Sequence, residues 1–132
     1  AARNIALASA QGLEICTLCN ACTAILTHTA KELDENDELR KAINLELAKE
    51  NIEYKPGVKV RHFSRILYED VGIGKISEKV KIDMSRLNLS IHYGCHYLRP
   101  KDIYEGFDDP ENPETGKYPP LLNTLSLDNF YF

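Results

Sequence analysis

Two periods of apolar residues run along this chain, and the switches between them mark its elements. Ile5, Leu7 and the surrounding alanines continue a helical pattern to Ala10, and Gly12 supplies a natural helix stop. Leu13 to Leu18 is a short β-prone run that reads as a strand. Cys19-Asn20-Ala21-Cys22 follows, and Thr23 to Leu33 then reads as helix. The two cysteines therefore fall where a strand ends and a helix begins. Asp34 to Asp37 is a polar break rich in N-cap residues, after which Leu39, Ala42, Ile43 and Leu47 recur at helical spacing to about Glu50.

Lys55-Pro56-Gly57 predicts a turn, and Val58 with Val60 a brief extended piece. Phe63, Ile66, Leu67 and Val71 form a helical stripe that Gly72 closes, and Ile76 with Val80 suggest one more short helix. Leu87, Leu89, Ile91 and Tyr93 alternate with polar neighbours, the period of a strand, which ends at Gly94-Cys95. Phe107 to Pro113 and Gly116 to Pro120 carry loop chemistry. Pro119-Pro120 can open a short helix through Leu121, Leu122 and Leu125, while Phe130-Tyr131-Phe132 has no visible home. This order predicts an α/β fold, with helices packed on a small parallel sheet and an irregular C-terminal tail. If the strands at 13–18 and 87–93 lie parallel, their ends share an edge, and Cys19 and Cys22 meet Cys95 there.

Composition narrows the function classes. The 132 residues are 43% hydrophobic and 27% charged, a soluble, globular balance that excludes collagen, wholesale disorder and a disulfide-dense miniprotein. No apolar run reaches the ~18–20 residues of a membrane span, and no secretion signal is visible. The net charge of −4 is uneven: residues 1–100 carry 14 basic and 13 acidic groups, residues 101–132 carry 2 and 7. Without clustered Lys and Arg, a nucleic-acid surface is not expected. The opening helix begins with neither Met nor a cap, which suggests a chain cut from something longer.

Cys16, Cys19 and Cys22 lie within seven residues of one another, and Cys95 stands apart. Clustered CxxC spacing points to metal or redox use rather than a disulfide framework. A ferredoxin run would need Cys at 26 and Pro at 27, where this chain has Leu26 and Thr27. Cys19, Cys22, Cys95 and His96 could supply four zinc ligands, although a second CxxC or an HxxxH is missing. A redox-active pair at a helix N-terminus is another reading, weakened by Asn20-Ala21 between the cysteines. Cys16, inside the strand run, reads as a small buried hydrophobe. His96, at a strand end beside Cys95, is a candidate proton donor to a leaving thiolate. His92 falls on the polar strand face, and His28 and His62 read as helix-surface or core-edge residues.

Taken together, Cys19-Asn20-Ala21-Cys22, Val60-Arg61-His62-Phe63, Glu69-Asp70-Val71-Gly72, His92 to Pro100 and Phe107 to Pro113 resemble the B subunit of heterodisulfide reductase. The opening Ala2 to Ala8 fits the same family, so the resemblance covers nearly the whole chain. It implies two copies of a cysteine-rich CCG domain, each with an early Cys, a Cys-Cys pair and a late CxxC. Together these bind a noncubane 4Fe–4S iron–sulfur cluster. The family reduces a mixed disulfide, that of coenzyme M and coenzyme B in methanogenesis. Its electrons come from a flavin subunit and arrive through a ferredoxin-like subunit.

Carried over, Cys19 and Cys22 match the late CxxC of the first copy and Cys95 the early Cys of the second, while Cys16 matches none. The resemblance thus divides the chain into 1–86, the C-terminal part of a first CCG-type domain, and 87–132, the start of a second. The remaining family cysteines would lie outside the sequence. The expectation is an internal fragment of a cytoplasmic protein, without a complete cluster of its own and prone to self-association through exposed apolar surface. Alternatives are the CCG subunit of a fumarate or succinate oxidoreductase of the thiol:fumarate reductase type, and a small zinc-stabilised binding module.

Overall fold

A computed structural model describes residues 1–82 and the strand segments 89–90 and 130–131. The chain forms two compact units, Ala1–His62 and Phe63–Phe132.

In the first unit, helix α1 (Ala2–Ala10) ends as its sequence predicts. Gly12 takes φ +65, its N–H reaches Ser9 O at 3.1 Å, and the Leu13 N–H reaches Ala8 O at 3.0 Å. This is a Schellman closure, and it turns the chain directly into strand β1 (Ile15–Thr17). Helix α2 (Asn20–Glu35) follows with Cys19 as its N-cap, so it starts one turn earlier than the apolar pattern indicates.

The polar break predicted at 34–37 shrinks to Asn36 alone. That residue ends α2 and caps α3 (Asp37–Leu47), its side-chain oxygen accepting the Leu39 N–H at 3.0 Å. Asp37 and Glu38 sit in the first turn of α3, where the helix dipole favours negative charge. Arg40 reaches back to close α2, donating to Leu33 O at 2.8 Å and Asp34 O at 3.2 Å. A 3-10 turn (Ala48–Glu50) and the left-handed Asn51 (φ +58) then reverse the chain toward strand β2 (Val60–His62).

β1 and β2 pair in parallel, with Ile15 opposite Val60, Cys16 opposite Arg61 and Thr17 opposite His62. Parallel strands need a long crossover, and α2 and α3 provide it, α2 packing against the sheet. The α/β architecture with a small parallel sheet is therefore as expected, but its partners differ. The extended piece at 58–60 becomes the neighbour of β1, shifted to 60–62. In the 87–93 run, Leu89–Ser90 (β3) pairs in parallel with Phe130–Tyr131 (β4) instead. Pairing between distant segments is set by tertiary burial, which local alternation does not encode. The expected helix at 119–125 and the rest of the tail lie outside the described residues.

The core of the first unit is Ile5, Ala6, Ala30, Leu33, Leu47 and Tyr54. Ile5 and Leu33 are at most 2% exposed, each burial stabilising by about 1.5–3 kcal/mol. Tyr54 enters this apolar space with both of its polar ends satisfied. Its hydroxyl donates to Asp34 Oδ1 at 2.6 Å and lies 3.1 Å from Ala30 O. Its backbone is gripped by Asn44, whose amide donates to Tyr54 O at 3.1 Å and accepts the Tyr54 N–H at 2.8 Å. Burial, then the Asp34 carboxylate, push the phenol pKa far up, so Tyr54 stays a proton donor at any physiological pH.

In the second unit, α4 (Phe63–Ile66) runs into a π-helical turn at Leu67–Val71. Gly72 ends it at φ +83, a backbone region that side chains disfavour, with its N–H on Leu67 O at 3.0 Å. Arg65 Nε bonds Glu69 Oε1 at 2.7 Å across one turn, and α5 (Ile73–Ser77) follows.

Replacing Tyr54 with Phe should lower stability by about 1.5–3 kcal/mol, because a hydrogen bond to a charged acceptor is lost while the ring remains. Urea denaturation measures this, and an unshifted midpoint would show that the phenol–carboxylate bond contributes nothing.

Candidate metal centre at a strand-to-helix corner

Between Thr17 and Cys22 the chain passes from extended to helical backbone within two residues. Cys19 is the pivot, extended at φ −124, ψ 124, while Asn20 already begins α2. Two buried hydroxyls brace the corner. Thr23 Oγ1 donates to the Cys19 carbonyl at 2.9 Å, and the Thr23 N–H reaches the same oxygen at 2.9 Å. Because a carbonyl only accepts, the single Thr23 hydroxyl proton is committed to Cys19. The short contact between Thr17 Oγ1 and Thr23 Oγ1 is therefore donated by Thr17. Thr17 is 8% and Thr23 2% exposed, so neither has water as a ready substitute.

The brace leaves both thiols outside. Cys19 and Cys22 are free and exposed, and near enough to shift each other's acidity. As N-cap and third helical residue they meet across the first turn. No side-chain cap hydrogen bond forms at Cys19, but the nearby Cys22 N–H, the Cys22 thiol and, more weakly, the Ala21 N–H all favour its thiolate. The Cys19 pKa is accordingly lowered. That of Cys22 is raised, first by its hydrogen bond to Cys19 and then by the Cys19 charge. Of the two, Cys19 is the readier to lose its proton and Cys22 the readier to keep it.

Cys16 is placed otherwise than its sequence context indicates. It is exposed rather than buried. A two-stranded sheet has one face under α2, where Ile15 and Thr17 point, and Cys16 projects from the other. On that outer face Glu14 bonds Arg61, the cross-strand partner of Cys16, at 2.7 Å. His28 is a surface residue of α2, 3.5 Å from Glu32.

His62 is the neighbour that sequence reasoning left aside. It stands opposite Thr17 and hydrogen-bonds the Leu18 backbone beside Cys19. Burial lowers its pKa, and the Leu18 bond opposes that shift. Its one advance signal was membership of the Val60–Phe63 segment. Cys95, His92 and His96 lie outside the described residues.

Among the described residues no three Cys, His, Asp or Glu side chains converge on one point. The Cys19–Cys22 pair alone offers two soft thiolate donors, which suits one edge of an iron–sulfur or zinc site and leaves further ligands to come from elsewhere. Depressions at the α2–α3 junction and beside Pro56–Lys59 include neither cysteine.

No protein-family profile matches the chain, but individual curated proteins do. It is 34% identical over 115 residues to a heterodisulfide reductase B-subunit-like protein of Archaeoglobus profundus, covering 86% of this chain and 38% of that protein. It is 38% identical over 113 residues to the 8-methylmenaquinol:fumarate reductase membrane anchor subunit of Wolinella succinogenes, covering 85% and 38%. A third match is to the B subunit of the ferredoxin/F(420)H(2)-dependent CoB-CoM heterodisulfide reductase of Methanosarcina acetivorans, 34% identical with 76% and 33% covered. The chain spans less than two fifths of the length of each. Among the described residues no helix is long and apolar enough to cross a membrane.

The opposed shifts of the two thiols set an order of reactivity. With its pKa lowered and that of Cys22 raised, Cys19 carries the greater thiolate fraction at neutral pH, so iodoacetamide should alkylate Cys19 first. Its rate should fall as pH drops through the Cys19 pKa. Peptide mapping after brief labelling reads the order, and Cys22 reacting first would reverse the proton assignment.

Proposed function

The chain belongs to the family of the heterodisulfide reductase B subunit, and from that premise we propose that it is part of a catalytic iron–sulfur protein that reduces a mixed disulfide of the coenzyme M–coenzyme B type. Cys19 and Cys22 would ligate a noncubane cluster as the late CxxC of a first CCG-type domain covering residues 1–86. Cys95 would belong to a second such domain beginning at 87. The observation that carries this reading is the pair of free, exposed thiols at the α2 N-terminus, in a chain so matched to these relatives.

The cluster, when bound, supplies electrons singly to a reaction that needs two. Cys19 and Cys22 would hold iron through their exposed sulfurs, with further ligands from elsewhere. The N–H groups of Ala21 and Cys22 stabilise negative charge on the Cys19 sulfur. His96 would deliver a proton to the departing thiolate. A ferredoxin-like subunit and a flavin subunit of the reductase would be the electron-transfer partners, in the cytoplasm.

The Wolinella relative supports a second reading, a CCG subunit of a fumarate or succinate oxidoreductase. Substrate separates the two. The complete protein, purified with its partners, should reduce the heterodisulfide, and reduction of fumarate alone would favour the second reading. One tight zinc per chain with no iron would overturn both.

Replacing His96 with Gln in the complete protein should slow disulfide reduction by about 10²- to 10⁴-fold without loss of iron. Unchanged turnover would remove His96 from the mechanism. After anaerobic iron–sulfide reconstitution, this chain alone should not hold a stable, stoichiometric cluster; iron analysis showing one would refute the ligand shortfall.

A further inference from the structure

The corner that presents the thiols is held by groups that no thiol chemistry requires. Thr17 lies on β1 and Thr23 in the first turns of α2. Their hydroxyls form a directed chain, Thr17 to Thr23 to the Cys19 carbonyl, in which each proton has one destination. Both lone pairs of that carbonyl are then occupied by Thr23, through its hydroxyl and its N–H. The peptide plane after Cys19 is fixed as a result, and with it the direction of the Cys19 side chain relative to Cys22. Valine has the same shape as threonine but cannot donate, so the apolar contacts of these two positions do not explain the hydroxyls.

We propose that Thr17 and Thr23 are positioning residues for the Cys19–Cys22 pair, setting the spacing at which the two sulfurs close on one soft metal centre. This deepens the reading of the pair as metal ligands and rests on it. The hydroxyls touch no metal. They act through the Cys19 carbonyl, as groups behind metal ligands do, and such groups change affinity by about 10- to 100-fold when removed.

The test uses the full chain with Cys16→Ser and Cys95→Ser, so that two thiols remain. Cadmium ion is titrated anaerobically, and binding is read by sulfur-to-cadmium charge-transfer absorption. Thr23→Val should weaken binding by about tenfold or more, and Thr23→Ser, which keeps the hydroxyl, should restore it. The urea midpoint of each variant, measured alongside, separates loss of spacing from loss of fold. Thr23→Val that stays folded and binds cadmium like the parent overturns the proposal. If Thr23→Val does not fold, Thr17→Val, which removes only the outer donor, decides: parental affinity overturns the proposal and weakened affinity supports it. Cadmium binding that survives both Cys19→Ser and Cys22→Ser instead overturns the ligand reading itself.

Discussion

One phenolic proton orders the first unit. Tyr54 gives it to Asp34 inside an apolar core, and the bond ties the segment returning to β2 onto the last turns of α2. Asp34 Oδ2 also accepts the Gly57 N–H at 3.2 Å, so one carboxylate anchors both ends of that segment. With Ile15 and Val58 packed against the same core, this anchor helps to bring Val60 alongside Ile15. It thereby supports the parallel sheet and the corner built at its end.

Polar groups enter the interior of this unit in matched sets, with the Thr27 hydroxyl an exception. Asn44 replaces a missing strand partner for the Tyr54 backbone. Arg40 and Asn36 close and open consecutive helices with a single residue between them. The same economy appears at the cysteine corner, where two threonines satisfy one another and a carbonyl. An unmatched hydroxyl at either place would forgo a bond and carry a desolvation penalty of about 1–3 kcal/mol. Such networks therefore specify geometry more sharply than apolar packing does.

Local chemistry was legible in the residues. Gly12, Gly72, the N-cap at Asn36 and the CxxC at a strand–helix junction all have short-range causes. What escaped the sequence depends on distant partners. The neighbour of β1 was decided by burial of Tyr54 and the packing of Val58 against the core, not by the alternation at 87–93. Cys16 read as buried because a strand cysteine is usually covered, and here it stands exposed on the sheet face away from α2. The roles of Tyr54 and Asn44 need a contact ten residues away in sequence and carry no local mark. The Thr17–Thr23 link spans only six residues, yet it arises from the turn between strand and helix rather than from either element.

Leu18 is 79% exposed, immediately before the first cysteine of the pair. The two sulfurs beyond it are exposed as well and so lie under a high dielectric, where each N–H dipole is weakened by solvent. A surface that covered Leu18 and the thiols together would dry the corner and strengthen the dipoles aimed at the sulfurs. Thiol reactivity measured with the corner wet would thus differ from reactivity measured with it covered, and the difference would report the covering rather than the sequence.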